Sequence, residues 1–503
     1  MVRILNKRIL SCSYIGAQPF LIEVEIDISS GLPIFSIIGL GDTAISESKD
    51  RIKTALKNSN FILPPKKIIV NLSPAGIKKE GAHFDLPISI AIIYSMGFIQ
   101  DKYNILDNYL FIGELSLNGN VKPVKGAINA VILAKELGYK GVILPIDNYY
   151  EANLIKNIDI IPVSSLQETS NFITTNAKKT LQLKPISIKK QVNIDFSDVK
   201  GQIMAKRGLE IAAAGKHNLI LIGSPGSGKS MLCKRFQTIL PPLTDEEIIK
   251  ATKIHSIAGE LNKNQPIVTY PPFRSPHHTS SLVSIIGGGK KVTPGEVSLA
   301  STGVLFLDEI AEFPRSILES LRQPIEDKKV SITRALYKVE FDSNFILIAA
   351  SNPCPCGYYF EENRCTCTQT EVNKYMKKFS GPIMDRIDLY IEIRQLSPNE
   401  LIDTNTCKSS KEIRKSVIKA REVQYLRLGK GRCNSDMTQS EISKYCIVSK
   451  DDEKYLKKII SILHISARSY HKILTVARTI ADLDNSQEIH KKHLMEALTF
   501  RKK

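Results

Sequence analysis

The segment NLILIGSPGSGKSMLCKRF, residues 218–236, contains the pattern that decides the central fold of this chain. An apolar run leads into G-x-x-x-x-G-K-S and a helix-like sequence follows, which is the context of a phosphate-binding loop between a strand and a helix. In such a loop backbone N–H groups converge on the phosphates, the lysine reaches the β and γ oxygens, and the hydroxyl binds Mg²⁺. The flanking strand and helix disfavour a glycine turn that matches by chance. The predicted nucleotide site consists of Gly223, Ser224, Pro225, Gly226, Ser227, Gly228, Lys229 and Ser230.

Two other strand-like runs end in polar groups that suit the same site. VLFLDE, residues 304–309, ends in two carboxylates, of which Asp308 would hold Mg²⁺ and Glu309 would polarise an attacking water. FILIAASN, residues 345–352, ends in Asn352, which would orient water near the γ-phosphate if its strand lies between the other two. The alternatives are a solvated acidic pair and a turn asparagine. ATP and Mg²⁺ are the expected cofactors.

The composition indicates a large globular protein with a basic surface. A length of 503 residues corresponds to about three domains. The 43% hydrophobic and 24% charged residues exclude a mainly disordered or fibrous chain. The net charge of +18 favours a polyanionic partner such as nucleic acid, although the abundance of Ile, Asn and Lys also fits the bias of an AT-rich genome.

The location expected from the sequence is cytoplasmic, with no membrane partner. Nine cysteines are an ordinary number for this length, and the N-terminal residues lack the pattern of a signal peptide. The longest apolar stretch, residues 84–99, contains Asp85 and Pro87 and is shorter than the ~20 residues that span a bilayer. This stretch is predicted to be a buried helix.

Hydrophobic patterning divides the chain into three folded segments of an α/β protein. Residues 1–165 alternate short apolar runs with helical stretches, which predicts an α+β domain. Residues 166–195 are polar and are predicted to be a linker. Residues 196–395 contain the three strands above, as a parallel nucleotide-binding sheet would. Residues 396–503 have helical periodicity and an excess of basic residues, which predicts a C-terminal helical domain.

Four of the nine cysteines lie within fourteen residues, an arrangement that suggests a tetrahedral Zn²⁺ site. The C-x-C spacing is less diagnostic than C-x-x-C, so free or redox-active thiols remain an alternative, and disulfides are disfavoured inside the cell. The candidate ligands are Cys354, Cys356, Cys365 and Cys367.

Several motifs together resemble the magnesium-chelatase-like branch of AAA+ ATPases. They are the phosphate loop, LFLDE, AASNPCPCG, SGPIMDRIDL and SARSYHKILTVARTIADL. The stretches GLPIFSIIGLGDTAISESKDRI, RSPHHTSS and PGEVSLASTGVLFLDE are similar to the ComM/YifB type within that branch. The resemblance covers nearly the whole chain. It implies an AAA+ core with a C-terminal lid, assembly into a homo-oligomeric ring, expected to be a hexamer, and an ATP-driven helicase on single-stranded or branched DNA that aids branch migration in natural transformation.

The resemblance also implies roles for three residues. Arg386 in SGPIMDRIDL resembles the arginine finger that enters the neighbouring subunit's site, where positive charge stabilises the transition state. The alternative for Arg386 is a surface ion pair with Asp385 or Asp388. Arg468 in SARSYHKIL matches the lid arginine, the alternative being a solvated helix charge. Gln202 corresponds to the adenine side of the site.

The same branch of the family carries two insertions. Residues 272–289, including His277 and His278, would form an added loop, and residues 329–338 a hairpin before the Asn352 strand. Both could face the pore of a ring. A metal site at the histidines is disfavoured because no carboxylate lies at a suitable spacing, so a structural or DNA-facing loop is preferred.

The N-terminal segment resembles the catalytic fold of Lon proteases without its catalytic pair. KEGAHFD, residues 79–85, occupies the place of the serine loop, and VKPVKGAI, residues 121–128, that of the lysine loop. The serine position holds His83 and the lysine position Ile128, so no activated Ser–Lys pair can form. The segment is predicted to be a scaffold or a DNA-facing domain.

Three functions compete for this architecture. A DNA motor is preferred because of the charge and the resemblance. AAA+ cores also drive chelatases and protein-remodelling motors, so the fold alone does not decide. A chelatase-type motor would lack the Lon-like domain, and an ATP-dependent protease would need the missing Ser–Lys pair.

Overall fold

A computed structural model describes most of the chain. The described residues are 8–76, 78–178, 194–289, 291–334, 337–361, 364–378, 383–396, 400, 408–449, 451–454, 456, 462 and 466–501. Half of the predicted linker (residues 179–193), residues 335–336 of the predicted hairpin, and residues 397–399 and 401–407 at the start of the predicted C-terminal domain lie outside them.

The N-terminal part is built on a seven-stranded mixed sheet. Its strands are β1 (Ile9–Ile15), β2 (Gln18–Ser29), β3 (Phe35–Ile38), β4 (Lys67–Ser73), β5 (Tyr109–Phe111), β8 (Gly141–Pro145) and β9 (Asp159–Val163), and the short β6 (Glu114–Leu115) and β7 (Val121–Lys122) pair separately. The order across the sheet is β3-β4-β2-β1-β5-β8-β9. Alternate residues of β4 are buried, as expected for a strand with one face on the core.

Helices pack against this sheet and provide most of its core. They are α1 (Thr43–Asn58), α2 (Asp85–Ser95), α3 (Ile105–Asn108), α4 (Ala127–Glu136), α5 (Tyr149–Ala152) and α6 (Leu166–Thr175). Helix α2 is buried almost throughout, which confirms the predicted buried helix. Its first residue, the buried Asp85, is neutralised by Arg51 at 2.6 Å.

Helix α6 lies where the linker was predicted to start. Ser165 caps it by accepting a hydrogen bond from the backbone N–H of Glu168 at 3.1 Å. Leu166, Phe172 and Ile173 are buried in the N-terminal core. These ten residues therefore belong to the first domain, because three apolar side chains on one helix face outweigh the polar composition of the stretch.

The central part contains a five-stranded, fully parallel sheet, which confirms the predicted nucleotide-binding architecture. Its strands are β10 (Leu219–Gly223), β11 (Phe273–Arg274), β14 (Val304–Leu307), β17 (Ile346–Ser351) and β18 (Leu389–Ile393), in the order β11-β14-β17-β10-β18. The surrounding helices are α7 (Ile203–Gly215), α8 (Lys229–Ile239), α9 (Asp245–Ala258), α10 (Leu282–Ile286), α11 (Glu296–Leu299), α12 (Arg315–Ser320), α13 (Arg322–Asp327) and α14 (Gln369–Lys377).

One predicted insertion is partly core structure. Within residues 272–289, β11 is the edge strand of the main sheet and pairs with β14, and only the rest forms a loop with α10 and β12 (Gly287–Gly288), which pairs with β13 (Thr293–Pro294). Two residues are too short a run for periodicity to reveal.

The predicted hairpin is present. Strands β15 (Lys329–Arg334) and β16 (Tyr337–Asp342) pair antiparallel. Val339 and Phe341 at its base form a small core with Ala17 of the N-terminal domain and Val292. Because Val339 and Phe341 alternate with the exposed Lys338 and Glu340, only the opposite face of the hairpin is available to face a pore.

Helices form the described part of the C-terminal segment. They are α15 (Ser410–Leu428), α16 (Gln439–Tyr445), α17 (Ala467–Leu483) and α18 (Lys491–Thr499). Helices α15 and α17 share a hydrophobic core with α7 and α8 of the central part. In the described residues, no helix combines the length and the apolar character needed to cross a membrane.

Candidate nucleotide site

The phosphate loop joins β10 to the N-terminus of α8. Gly226 and Gly228 have φ values of +77° and +89°, which glycine adopts without strain. Apart from the glycine and its two chain neighbours, no heavy atom lies within 4 Å of the point where a Cβ would stand at either position. The loop backbone therefore borders open space, and larger side chains there would project into it. This concave backbone fits the phosphate groups of a nucleotide.

Lys229 is held inside this loop. Its Nζ donates hydrogen bonds to the carbonyl oxygens of Gly223 at 2.6 Å and Ser224 at 2.9 Å, and to Oδ1 of Asn352 at 3.2 Å. Burial lowers the pKa of Lys229 from its ordinary value, and the charge of Asp308 opposes that shift. A phosphate would replace these neutral acceptors with an anionic one.

Two oxygens suitable for a magnesium ion lie side by side. The Ser230 hydroxyl donates to the Asp308 carboxylate at 2.7 Å. Oxygen ligands of this kind, completed by waters and phosphates, are what Mg²⁺ prefers. Glu309 follows with φ +52°, and 57% of its side chain is exposed. The Glu309 carboxylate is not part of the Ser230–Asp308 hydrogen bond.

Asn352 fulfils the condition set for its proposed role. β17 lies between β14 and β10, with Ala349 beside Leu307 and Ser351 beside Ile222. The residues that follow these three strands meet at one edge of the sheet, as the carboxyl ends of parallel strands do. The prediction that Lys229, Asp308 and Asn352 share a site thus agrees with the strand order.

Gln202 also reaches the phosphate loop. It adopts φ +52° just before α7, and its Nε2 donates to the carbonyl oxygens of Arg394 at 2.8 Å and Ser227 at 3.4 Å. The residue therefore connects the start of the central domain to the loop and to the end of β18.

Arg386 lies at the opposite edge of the same sheet. It precedes β18, which runs parallel to β10 with Leu389 beside Leu219, whereas the phosphate loop begins after Gly223. The length of β10, roughly 13 Å at 3.3 Å per residue, therefore separates the two edges. Only 4% of the Arg386 side chain is exposed, and its guanidinium pairs with Glu326 of α13 at 2.6 Å.

The alternative stated for Arg386 was a surface ion pair with Asp385 or Asp388. Of these two acids, Asp388 pairs with a different residue. Its carboxylate lies 2.9 Å from Nζ of Lys472. Burial opposes its ionisation, but the charge of Lys472 holds the pKa of Asp388 below the ordinary value.

Arg468 joins Arg386 at the same carboxylate. Its guanidinium donates to Oε1 of Glu326 at 2.6 Å, the oxygen that Arg386 also contacts. The hydrogen bond from Arg386 has the largest effect on the pKa of Glu326; burial opposes it, and the hydrogen bond from Arg468 helps to keep that pKa below its ordinary value. Sequence reasoning missed Glu326, because a lone acid in a short helix carries no local signal of a partner far along the chain.

His278 lies near the catalytic-site candidate Glu309. Its Nδ1 is 3.9 Å from the Glu309 carboxylate, and its ring stacks with His277 at 4.1 Å between centroids. The sequence pointed to a structural or DNA-facing loop for this pair. The adjacency follows from β11 lying next to β14, which the sequence did not reveal.

The four clustered cysteines come together. Their sulfur atoms all lie within 4.8 Å of one another, just beyond the end of β17. The cluster therefore follows Asn352 directly in the chain.

The N-terminal domain shows no arrangement of its predicted loop residues that resembles a Ser–Lys pair. His83 is buried and its Nε2 contacts the Cys12 carbonyl oxygen at 2.8 Å. Ile128 is buried in α4. The fully buried Lys79 donates to the carbonyl oxygen of Pro74.

Comparisons with known proteins give matches over nearly the whole chain. The family model described as "Magnesium chelatase, subunit ChlI" matches residues 195–401. The model described as "Subunit ChlI of Mg-chelatase" matches residues 24–148, and the one described as "Magnesium chelatase, subunit ChlI C-terminal" matches residues 407–501. The competence protein ComM of Haemophilus influenzae is 39% identical over 502 residues, covering 98% of this chain and 97% of that protein. YifB of Escherichia coli is 40% identical over 490 residues, covering 97% of this chain and 95% of that protein. The DNA replication licensing factor mcm6 of Schizosaccharomyces pombe is 23% identical over 279 residues, covering 53% of this chain and 28% of that protein.

Proposed function

The chain belongs to the magnesium-chelatase-like family of ComM and YifB, and we propose that it is an ATP-driven, ring-forming motor that acts on single-stranded or branched DNA. In this proposal it promotes branch migration during recombination and DNA uptake. The Lon-like N-terminal domain serves as a scaffold, and the C-terminal helices act as the lid of the ATPase core.

The observation that supports ATP hydrolysis is the convergence of unlike groups at the carboxyl edge of three adjacent strands. Lys229 is hydrogen-bonded to Asn352 there, and Ser230 to Asp308. Ser230 and Asp308 would hold Mg²⁺, which when bound neutralises charge on the β and γ phosphates. Glu309, outside that pair, is the base that orients water, and Asn352 positions the same water.

The position of Arg386 supports a composite site between subunits. Arg386 and Arg468 lie at the amino edge of the sheet, opposite the phosphate loop and the groups around it, which together form the nucleotide cradle. They are therefore on the wrong side to contact the γ-phosphate of a nucleotide in the cradle of their own subunit. In a ring, that edge of one subunit can face the open cradle of the next. Arg386 is then the finger for the neighbour's ATP, and Arg468 acts beside it.

The DNA partner is supported by charge and by relatives. The net charge is +18, and Lys329 and Lys338 of the hairpin are exposed, with Glu340 between them. Two relatives carry names that refer to competence and to DNA replication. We therefore assign the pore-facing surface to the exposed face of the hairpin that carries Lys329 and Lys338.

The test is the ATPase rate of the full chain with single-stranded, duplex and branched DNA, and with an unfolded protein instead. We expect the largest stimulation by single-stranded or branched DNA. The affinity for DNA should fall steeply with salt, because binding to phosphates releases counterions. Lys329→Ala with Lys338→Ala should weaken stimulation and make the salt dependence shallower by about one unit for each lysine that binds a phosphate. Lys102→Ala, an exposed lysine of the N-terminal domain, is the control.

Stimulation by the unfolded protein but by no form of DNA would replace this proposal with protein remodelling. A basal ATPase rate that responds neither to DNA nor to unfolded protein would support the ATPase activity and refute the action on DNA.

A further inference from the structure

The four clustered cysteines occupy two short arms of one loop. Cys354 and Cys356 follow the strand β17, and Cys365 and Cys367 precede the helix α14. The Cys354 sulfur lies 3.3 Å from that of Cys356 and 3.9 Å from that of Cys365. The sulfur atoms of Cys356 and Cys365 are 3.7 Å apart.

These distances discriminate between the chemical states of the cluster. Four thiolates that surround one zinc ion at about 2.3 Å stand about 3.8 Å from one another. Disulfide sulfurs would be about 2.05 Å apart. Every cysteine that the structure describes is free. The sulfur–sulfur distances therefore exclude disulfides and match those of ligands around one zinc ion, and the Cys367 sulfur lies within 4.8 Å of the other three.

We propose that Cys354, Cys356, Cys365 and Cys367 bind one structural zinc ion, and that this ion fixes the loop forming one wall of the nucleotide cradle. Four sulfur ligands in a closed tetrahedron leave no position for substrate, so the site is structural. Soft thiolates select zinc over magnesium, which keeps the two metal sites distinct. The second half of this proposal rests on the proposed ATPase function.

The loop touches the phosphate-binding segment directly. A Cβ at Gly357, which has φ +88°, would stand 2.8 Å from side-chain atoms of Pro225 in the phosphate loop. The Gly357 backbone N–H donates to the Cys354 carbonyl oxygen at 3.0 Å, and Cys354 is 1% exposed. The turn at Gly357, which follows Cys354 and Cys356, is thus packed against the phosphate loop.

The same loop begins at the residue that contacts Lys229. Asn352 lies two positions before Cys354 and accepts the 3.2 Å hydrogen bond from Lys229. An ion that fixes Cys354 therefore limits movement of both Asn352 and Gly357. Without it, the two arms lose the link that holds them together, and the wall of the cradle loosens.

The experiment measures metal first and nucleotide second. Full-length protein purified in reducing buffer without chelators should contain about one zinc per chain by mass spectrometry of the metal. Cys365→Ser and Cys354→Ser should lose that equivalent, and Cys446→Ser, a buried cysteine outside the cluster, should keep it. Co²⁺-substituted wild type should show the intense visible absorption of a tetrahedral thiolate site, which Cys365→Ser should lack. A metal-free wild type, or zinc retained in both cluster variants, would overturn the site.

Binding of a fluorescent ATP analogue then tests the link to the cradle. We expect weaker binding by Cys365→Ser and by wild type stripped with a chelator, with recovery when Zn²⁺ is returned to the stripped protein. If the variants fail to fold, the wild type stripped with a chelator still tests the link between zinc and ATP binding. Zinc loss with unchanged ATP binding would refute the link and leave the zinc site. Zinc present without ATP binding in the wild type would refute the proposed ATPase instead.

Discussion

Arg386 and Arg468 both bind Oε1 of Glu326, each at 2.6 Å. One carboxylate thus holds two cations side by side at the edge of the sheet opposite the phosphate loop. The two arginines come from different parts of the chain, the turn before β18 and the first turn of α17. Because they share one acceptor, we expect them to approach a neighbouring subunit together.

A composite site predicts that two inactive proteins complement each other. Arg386→Ala should damage the neighbour's site and leave its own cradle intact, whereas Lys229→Ala should do the reverse. Each variant alone should lose about 10³-fold or more in ATPase rate, far beyond the effect of a surface ion pair of at most ~1 kcal/mol. Mixed rings should recover part of the activity, as measured by ATPase assays across mixing ratios.

Arg8→Ala is the control for that experiment, because Arg8 lies in the N-terminal domain, where it pairs with Glu23 at 2.7 Å. Its ATPase rate should stay close to that of the wild type. Mixed rings that form without any return of activity, or an active Arg386→Ala, would exclude Arg386 as the trans-acting group.

The positions of Lys229 and Glu309 predict that one residue is needed to bind ATP and the other to hydrolyse it. Lys229→Ala removes the cation inside the phosphate loop and should abolish ATP binding. Glu309→Gln keeps Lys229, Ser230 and Asp308, so it should bind ATP and Mg²⁺ and hydrolyse very slowly. Equilibrium binding and single-turnover hydrolysis distinguish these outcomes. The same loss of binding in both variants would contradict the separate roles.

The N-terminal domain should lack peptidase activity. His83→Ser should not create one, since Ile128 supplies no base and Lys79 donates to a backbone carbonyl. The assay is cleavage of a fluorescent unfolded substrate with ATP, with an authentic ATP-dependent protease as positive control. ATP-stimulated cleavage by the purified wild type would show that the domain is catalytic.

The junction between the N-terminal and central domains should respond to pH through Glu151. Burial raises the pKa of Glu151 to about 7, although hydrogen bonds from Ser256 of α9 and from Asn148 lower it. Because the folded pKa exceeds the unfolded one, the protonated carboxyl favours folding, and that contribution is lost as the pH rises through 7. The total loss is at most about 3 kcal/mol.

Glu151→Gln should therefore remove this pH dependence. Its melting temperature relative to the wild type should rise between pH 5 and 8. Glu136→Gln, an exposed position on α4, should show a constant difference. A constant difference for Glu151→Gln as well would mean that Glu151 does not titrate in this range.

The sequence by itself determined the central sheet and the groups at its carboxyl edge. The phosphate loop, the LFLDE strand and the strand before Asn352 each have a local pattern, and parallel strands place their carboxyl ends together. These predictions needed only the backbone preferences of neighbouring residues and the rule that a parallel sheet has one polarity.

Only the tertiary structure decided which distant residues meet. Glu326 as the shared partner of two arginines, His278 beside Glu309, and helix α6 in the first core all depend on strand order and on helix packing across the chain. Local spacing fixes backbone conformation and the face of an element. The partner of a side chain depends on long-range contacts. Many different pairings are compatible with the same local sequence, and only packing of the whole chain selects one of them.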